Sequence, residues 1–154
     1  MWKIILVLSL FFILGGIFAY QYFSFKTEDT SQVLQVGENI IYVAEQRSGP
    51  SVLVDFVSMA KDGYVVIYDN DNGKFGKIIG NSKILPKGES RNVYVGLIRS
   101  VVSGESMFAM LHEDNGDNAF YPTIDVPLRD QDGNIMYMLF GVDQNASRPG
   151  DFNL

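Results

Sequence analysis

From residue 4 to residue 19 the chain carries no charge, and Ser9 is the one polar side chain in that run. Tyr20, Tyr22, Phe23 and Phe25 extend the apolar character until Lys26 ends it. Residues 4–25 as a helix would reach roughly 33 Å at about 1.5 Å per residue, enough to cross a hydrocarbon core of about 30 Å. A helix buried in a soluble core would show one polar face, and this stretch shows none. The sequence therefore predicts one N-terminal transmembrane helix, with the lipid bilayer as the partner of residues 4–25. Tyr20, Tyr22 and Phe23 fall where an interfacial aromatic belt lies.

Orientation follows from charge. Lys3 precedes the run while Glu28 and Asp29 follow it, so the positive-inside bias puts the N-terminus in the cytoplasm and the rest of the chain outside. The same segment also reads as a signal peptide cleaved after Ala19, which would release a secreted domain. Ile17 is bulky for a cleavage motif and the hydrophobicity continues past Ala19, both of which favour an uncleaved single-pass anchor. The organisation expected is an anchor or signal segment at 1–26, a polar linker at 27–39, a folded domain at 40–142 and a polar tail at 143–154.

The chain has 154 residues, which allows one domain beside the anchor. It contains no cysteine, so disulfides, thiolate metal sites and thiol nucleophiles are excluded. The net charge is −6 and becomes −8 once Lys3 and Lys26 are set aside with the anchor. Acidity concentrates late: residues 100–154 hold nine acids against Arg129 and Arg148. Such a surface repels phosphate backbones, so nucleic acid is not an expected partner.

Beyond residue 40 the chain becomes short apolar runs separated by turn residues. Strands are expected at 40–45, 52–59, 64–69, 77–80, 90–97, 106–112 and 135–142. Ser48-Gly49-Pro50, Lys61-Asp62-Gly63, Asp69–Gly73, Pro86-Lys87-Gly88, Ser103-Gly104 and Asp132-Gly133 punctuate them. Val93, Val95 and Leu97 alternate onto one face, whereas Tyr64 to Tyr68 is apolar on both, as suits a central strand. The fold class predicted is all-β, an Ig-like, Greek-key sandwich of two sheets and about seven strands.

Val52 to Tyr68 is followed by an acidic turn, by Gly76-Lys77-Ile78-Ile79-Gly80, by Leu85-Pro86-Lys87-Gly88 and by Met107 to Asp114; Asp132-Gly133 then precedes the last strand. That order resembles a β-sandwich domain family of unknown function, common in exported proteins of halophilic archaea and present in bacteria. The resemblance covers residues 50–142, and its most specific pieces are DGYVVIYD at 62–69 and AMLHEDNGD at 109–117. It implies an extracytoplasmic sandwich tethered to a membrane or joined to other surface modules, and it carries no enzymatic activity with it.

Two acidic clusters could carry chemistry. In Asp69-Asn70-Asp71-Asn72-Gly73, alternate oxygen ligands before a glycine suit calcium, but the twelfth loop position is Gly80 rather than a glutamate. The same run is also an ordinary hairpin turn. The second cluster is His112-Glu113-Asp114-Asn115-Gly116-Asp117. Asp69, Asp71, Asp114 and Asp117 are thus the candidate calcium ligands, and no other cofactor is expected. Copper at Met107, Met110 and His112 lacks the cysteine and second histidine that such centres need. A triad on Ser103 or Ser106 lacks the nucleophile elbow. An enzyme is not expected. Asn145-Ala146-Ser147 is a formal glycosylation sequon on the tail. Tyr42, Tyr64, Tyr68, Tyr94, Tyr121 and Tyr137 divide between core packing and an exposed surface for a protein or sugar.

Three roles fit these features. The leading one is a non-enzymatic, membrane-anchored extracytoplasmic module that binds or assembles with an envelope protein or glycan. The others are a calcium-binding extracellular domain, and a subunit of a membrane complex or filament that self-associates through the N-terminal helix, where Gly15-Gly16 permits close approach.

Overall fold

A computed structural model describes residues 33–147. The expected membrane segment at 1–26, the linker as far as residue 32 and the tail from residue 148 lie outside that range. Among the described residues no helix is long and apolar enough to cross a membrane.

Eight strands follow one another: β1 (Leu34–Val36), β2 (Asn39–Tyr42), β3 (Gly49–Met59), β4 (Gly63–Asp71), β5 (Lys74–Asn81), β6 (Gly88–Val101), β7 (Ser106–Glu113) and β8 (Met138–Gly141). They form two antiparallel four-stranded sheets, ordered β1-β2-β3-β6 and β5-β4-β7-β8. The β4–β5 hairpin lies in the second sheet, while the strands flanking it in sequence, β3 and β6, pair in the first with Val52 opposite Val95.

The sheets pack face to face as a sandwich. Ile41, Val52, Val54, Val57 and Val95 of the first sheet meet Val65, Ile67, Ile79, Met107 and Leu111 of the second in one buried cluster. Each of the seven expected strands corresponds to an observed one. The stretch expected as polar linker differs: Leu34, Gln35 and Val36 pair with Ile41, Ile40 and Asn39 across Gly37-Glu38. Gly37 has φ of 60°, the conformation a Gly-X two-residue hairpin turn uses at its first position. Leu34 packs on the core, and this burial holds a three-residue strand that polarity alone hides.

Turn chemistry explains the β4–β5 connection equally directly. Asn72 and Gly73 both have positive φ, 54° and 84°, the geometry of a two-residue hairpin matched to strand twist. Gln46 joins the two sheets. Its backbone N–H donates to Gly141 O at 3.0 Å and its carbonyl accepts from Asp143 N at 2.9 Å, beside β8. Its buried side chain meanwhile accepts from Leu53 N at 2.9 Å and donates to Leu53 O at 3.1 Å, so an amide side chain completes the ladder of β3.

Candidate functional surface

In an antiparallel strand, alternate side chains point to opposite sides of the sheet. Val65 and Ile67 of β4 enter the core, so Tyr64, Val66 and Tyr68 face outward, as do Phe108, Met110 and His112 of β7. Outward residues ordinarily meet water. Here Tyr64, Val66, Met110 and His112 are buried because the long β7–β8 connection covers them. Leu128 N donates to Leu111 O at 2.8 Å, so the connection runs back alongside β7 where β8 does not reach. Earlier in the same connection, Phe120 seats its ring 5.3 Å from Tyr64 and 5.5 Å from His112. This second small core is why Tyr64 to Tyr68 reads apolar on both faces.

The connection is pinned by buried polar groups. Asp125 has no exposed surface, and its carboxylate accepts from Asn115 N at 3.1 Å and Tyr121 N at 2.6 Å. His112, also fully buried, donates from Nδ1 to the Asp125 carbonyl at 2.6 Å and accepts at Nε2 from the Tyr68 hydroxyl at 3.0 Å. A carbonyl can only accept, which assigns that tautomer. Burial pushes the imidazole below its ordinary value, against the pull of the Asp125 carbonyl. Tyr64 donates its hydroxyl to Asp114 Oδ1 at 3.1 Å, and burial followed by that bond raises its pKa to about 12.

Where the cover ends, apolar side chains reach the surface. Phe75 of β5, Phe108 of β7 and Tyr137 meet pairwise with ring centroids 4.9–5.2 Å apart and planes inclined by 72–87°. Phe108 is buried beneath, while Phe75 is 40% exposed, Tyr137 44% and Leu139 53%. Leu139 pairs directly with Phe108 across β7 and β8. Tyr137 and Leu139 continue into a groove of about 490 Å³ between β1 and β8, whose walls include Val33, Leu34, Ile135 and Met138. Edge-to-face rings make a ridged apolar surface.

The four candidate calcium ligands are not brought together. Asp69 is ion-paired with Arg99, which also bonds Glu105 at 3.0 Å. Asp71 accepts from Asn72 Nδ2 at 3.0 Å in the hairpin turn. Asp114 Oδ2 accepts from Gly116 N at 2.9 Å, and Asp117 Oδ1 from Ala119 N at 2.8 Å. The first pair sits at the β5 end of β4 and the second beyond its Gly63 end, separated by roughly 20 Å at about 3.4 Å per residue. Among the described residues no three His, Asp or Glu side chains converge to hold a metal. Ser106 Oγ accepts from Asn70 Nδ2 at 2.8 Å.

The tyrosines divide. Tyr64 is buried, whereas Tyr94, Tyr121 and Tyr137 are exposed. Phe75, Phe108 and Leu139 were not marked by the sequence, although Phe75 stands between Lys74 and Gly76 as an apolar residue on a polar edge strand.

Residues 39–140 match the family model described as Domain of unknown function (DUF7282). Two curated relatives come from Haloarcula hispanica. Cell surface glycoprotein 1 is 27% identical over 106 residues, 67% of this chain and 11% of that protein. Cell surface glycoprotein 2 is 25% identical over 130 residues, 82% of this chain and 14% of that protein. The chain thus spans a small part of the relatives it matches. No solved structure matches.

Proposed function

Since the chain belongs to the DUF7282 family of domains of unknown function, we propose that it is a non-enzymatic extracytoplasmic module that docks on a protein of the cell envelope. The observation carrying this reading is the exposed ridge of Phe75, Tyr137 and Leu139 on the outer face of the second sheet. Soluble domains rarely leave contiguous aromatic and aliphatic side chains in water unless something covers them. Aromatic anchors seated beside a groove are the usual centre of a protein interface.

The relatives' names support this placement: both are named cell surface glycoproteins, and the matching stretch is 11% and 14% of their length. A neighbouring module of an envelope protein is therefore the occupant we assign to the ridge. Residues 4–25 tether the module as a single-pass anchor with the N-terminus inside. The order β8-β7-β4-β5 opposite β2-β3-β6, with Gln46 bridging in parallel to Val142, supports an immunoglobulin-like topology. A non-catalytic role is supported by the burial of the one histidine, both of whose ring nitrogens are engaged.

The test is crosslinking of the full chain in intact cells, using wild type and the Tyr137→Ser, Leu139→Lys double variant. Both positions are partly exposed, so the variant should melt close to wild type. The expected result is one crosslinked envelope protein that disappears with the variant. Crosslinks unchanged by the variant would remove the ridge from the interface. A crosslinked homodimer would make a second copy the occupant.

A further inference from the structure

We propose that Asn145 carries an N-linked glycan, whose first sugars lie over the groove beside it. The inference rests on the extracytoplasmic placement above. Asn145-Ala146-Ser147 is the one Asn-x-Ser/Thr triplet in the sequence. Spacing alone would say little, since such triplets arise by chance.

The structure adds presentation. The triplet sits on a turn just past β8, where Ala146 N donates to Asp143 O at 3.1 Å and Asn145 N donates to Asp143 Oδ1 at 2.8 Å. Arg47 Nε donates to Ala146 O at 2.7 Å, and Gln144 N donates to Ser103 Oγ at 3.3 Å. Ala146 is buried, while Asn145 and Ser147 on either side of it are exposed. The backbone is thus held by the protein and the two side chains of the sequon are left to solvent. Asn39, Asn70, Asn81, Asn115 and Asn134 all bond their side-chain amides to neighbouring groups. Among the described residues the carboxamide of Asn145, like those of Asn92 and Asn118, makes no such bond.

An open groove of about 320 Å³ lies alongside, lined by Ser147, Arg47, Ser51 and Tyr94 among others. Tyr94 is 70% exposed there, an aromatic face amid polar groups. Such a surface suits a sugar ring, whose C–H face stacks while its hydroxyls bond at the rim.

The reaction is a group transfer from a lipid-phosphate-linked oligosaccharide, made by an oligosaccharide transferase. A bond forms between Asn145 Nδ2 and the sugar C1. The C1–O bond to phosphate breaks, the lipid phosphate leaves with the electron pair, and the amide nitrogen loses one proton. Nothing is oxidised or reduced.

The full chain can be made in one host with and without its N-glycosylation transferase, then read by intact mass and peptide mapping. The expected result is added glycan mass at Asn145 in the competent strain only. It should vanish in Asn145→Gln and Ser147→Ala and persist in Ser147→Thr. Labelling of intact cells with a membrane-impermeant amine reagent runs in parallel. A surface-labelled chain without glycan at Asn145 overturns the inference and leaves the placement standing; a chain neither labelled nor modified overturns both. The glycosylated form should melt above the unmodified one, and Tyr94→Ala should erase that difference. A difference untouched by Tyr94→Ala rejects the groove as the seat of the sugars.

Discussion

Gly63 lies against β7 with no room for a side chain, because a Cβ there would land on the His112 carbonyl oxygen and within 2.6 Å of the Met59 methyl. The backbone cannot yield without opening the ladder. Gly63→Ala should therefore cost about 3 kcal/mol in a urea unfolding experiment, whereas a neutral result would mean the two strands are further apart than described. His112 gives a pH signature of known sign. Its folded pKa lies below the ordinary imidazole value, so the unfolded chain binds a proton that the folded chain refuses. The stabilisation is complete above the unfolded value near 6.5 and is lost as pH falls through the folded one. Urea midpoints taken from pH 8 downward should fall below about pH 6.5 in wild type, and His112→Gln should lose that component while being weaker at pH 8. Parallel profiles for the two proteins would contradict the burial of the ring.

Among the elements, the short segment around Gln46 links the two sheets by hydrogen bonds. Gln46→Ala would leave the partly buried backbone N–H and C=O of Leu53 without their partner, at about 1–3 kcal/mol for each orphaned group. An expected loss of about 3 kcal/mol follows, measurable by thermal or urea melting; a loss under about 0.5 kcal/mol, the usual range for surface changes, would place Gln46 outside the ladder. The strands and their order in the chain were legible because turns announce themselves: Asn72-Gly73 can close a hairpin and Gly88 or Gly104 can take positive φ. β1 was not legible, since Leu34 and Val36 sit in a polar stretch and count as a strand only when the pairing with β2 and the core are known. The expected strand at 135–142 was too long for a related reason. Ile135 pairs with Arg129 inside the connection, and β8 proper spans four residues.

For the whole molecule, the candidate surface was the least legible feature. Alternation tells which residues share a face but not which face the connection between β7 and β8 will cover, so Tyr64 and Phe75 look alike in the sequence although one is sealed and the other exposed. The acidic clusters were legible as turns and ligand types, yet their separation along β4 depends on the pairing. With Asp69, Asp71, Asp114 and Asp117 apart and internally bonded, saturating calcium against chelator should shift the melting temperature by less than about 1 °C, because a bound ion would stabilise by kcal/mol amounts. A shift of several degrees would support the calcium reading. The central claim is that this sandwich lives outside the membrane, and its most direct measurement is amine labelling of intact cells with a membrane-impermeant reagent. Lys61, Lys74, Lys77, Lys83 and Lys87 are all exposed on the folded domain. They should be modified in intact cells as fully as in lysed ones; lysines that react only after lysis would put the domain inside and contradict the account.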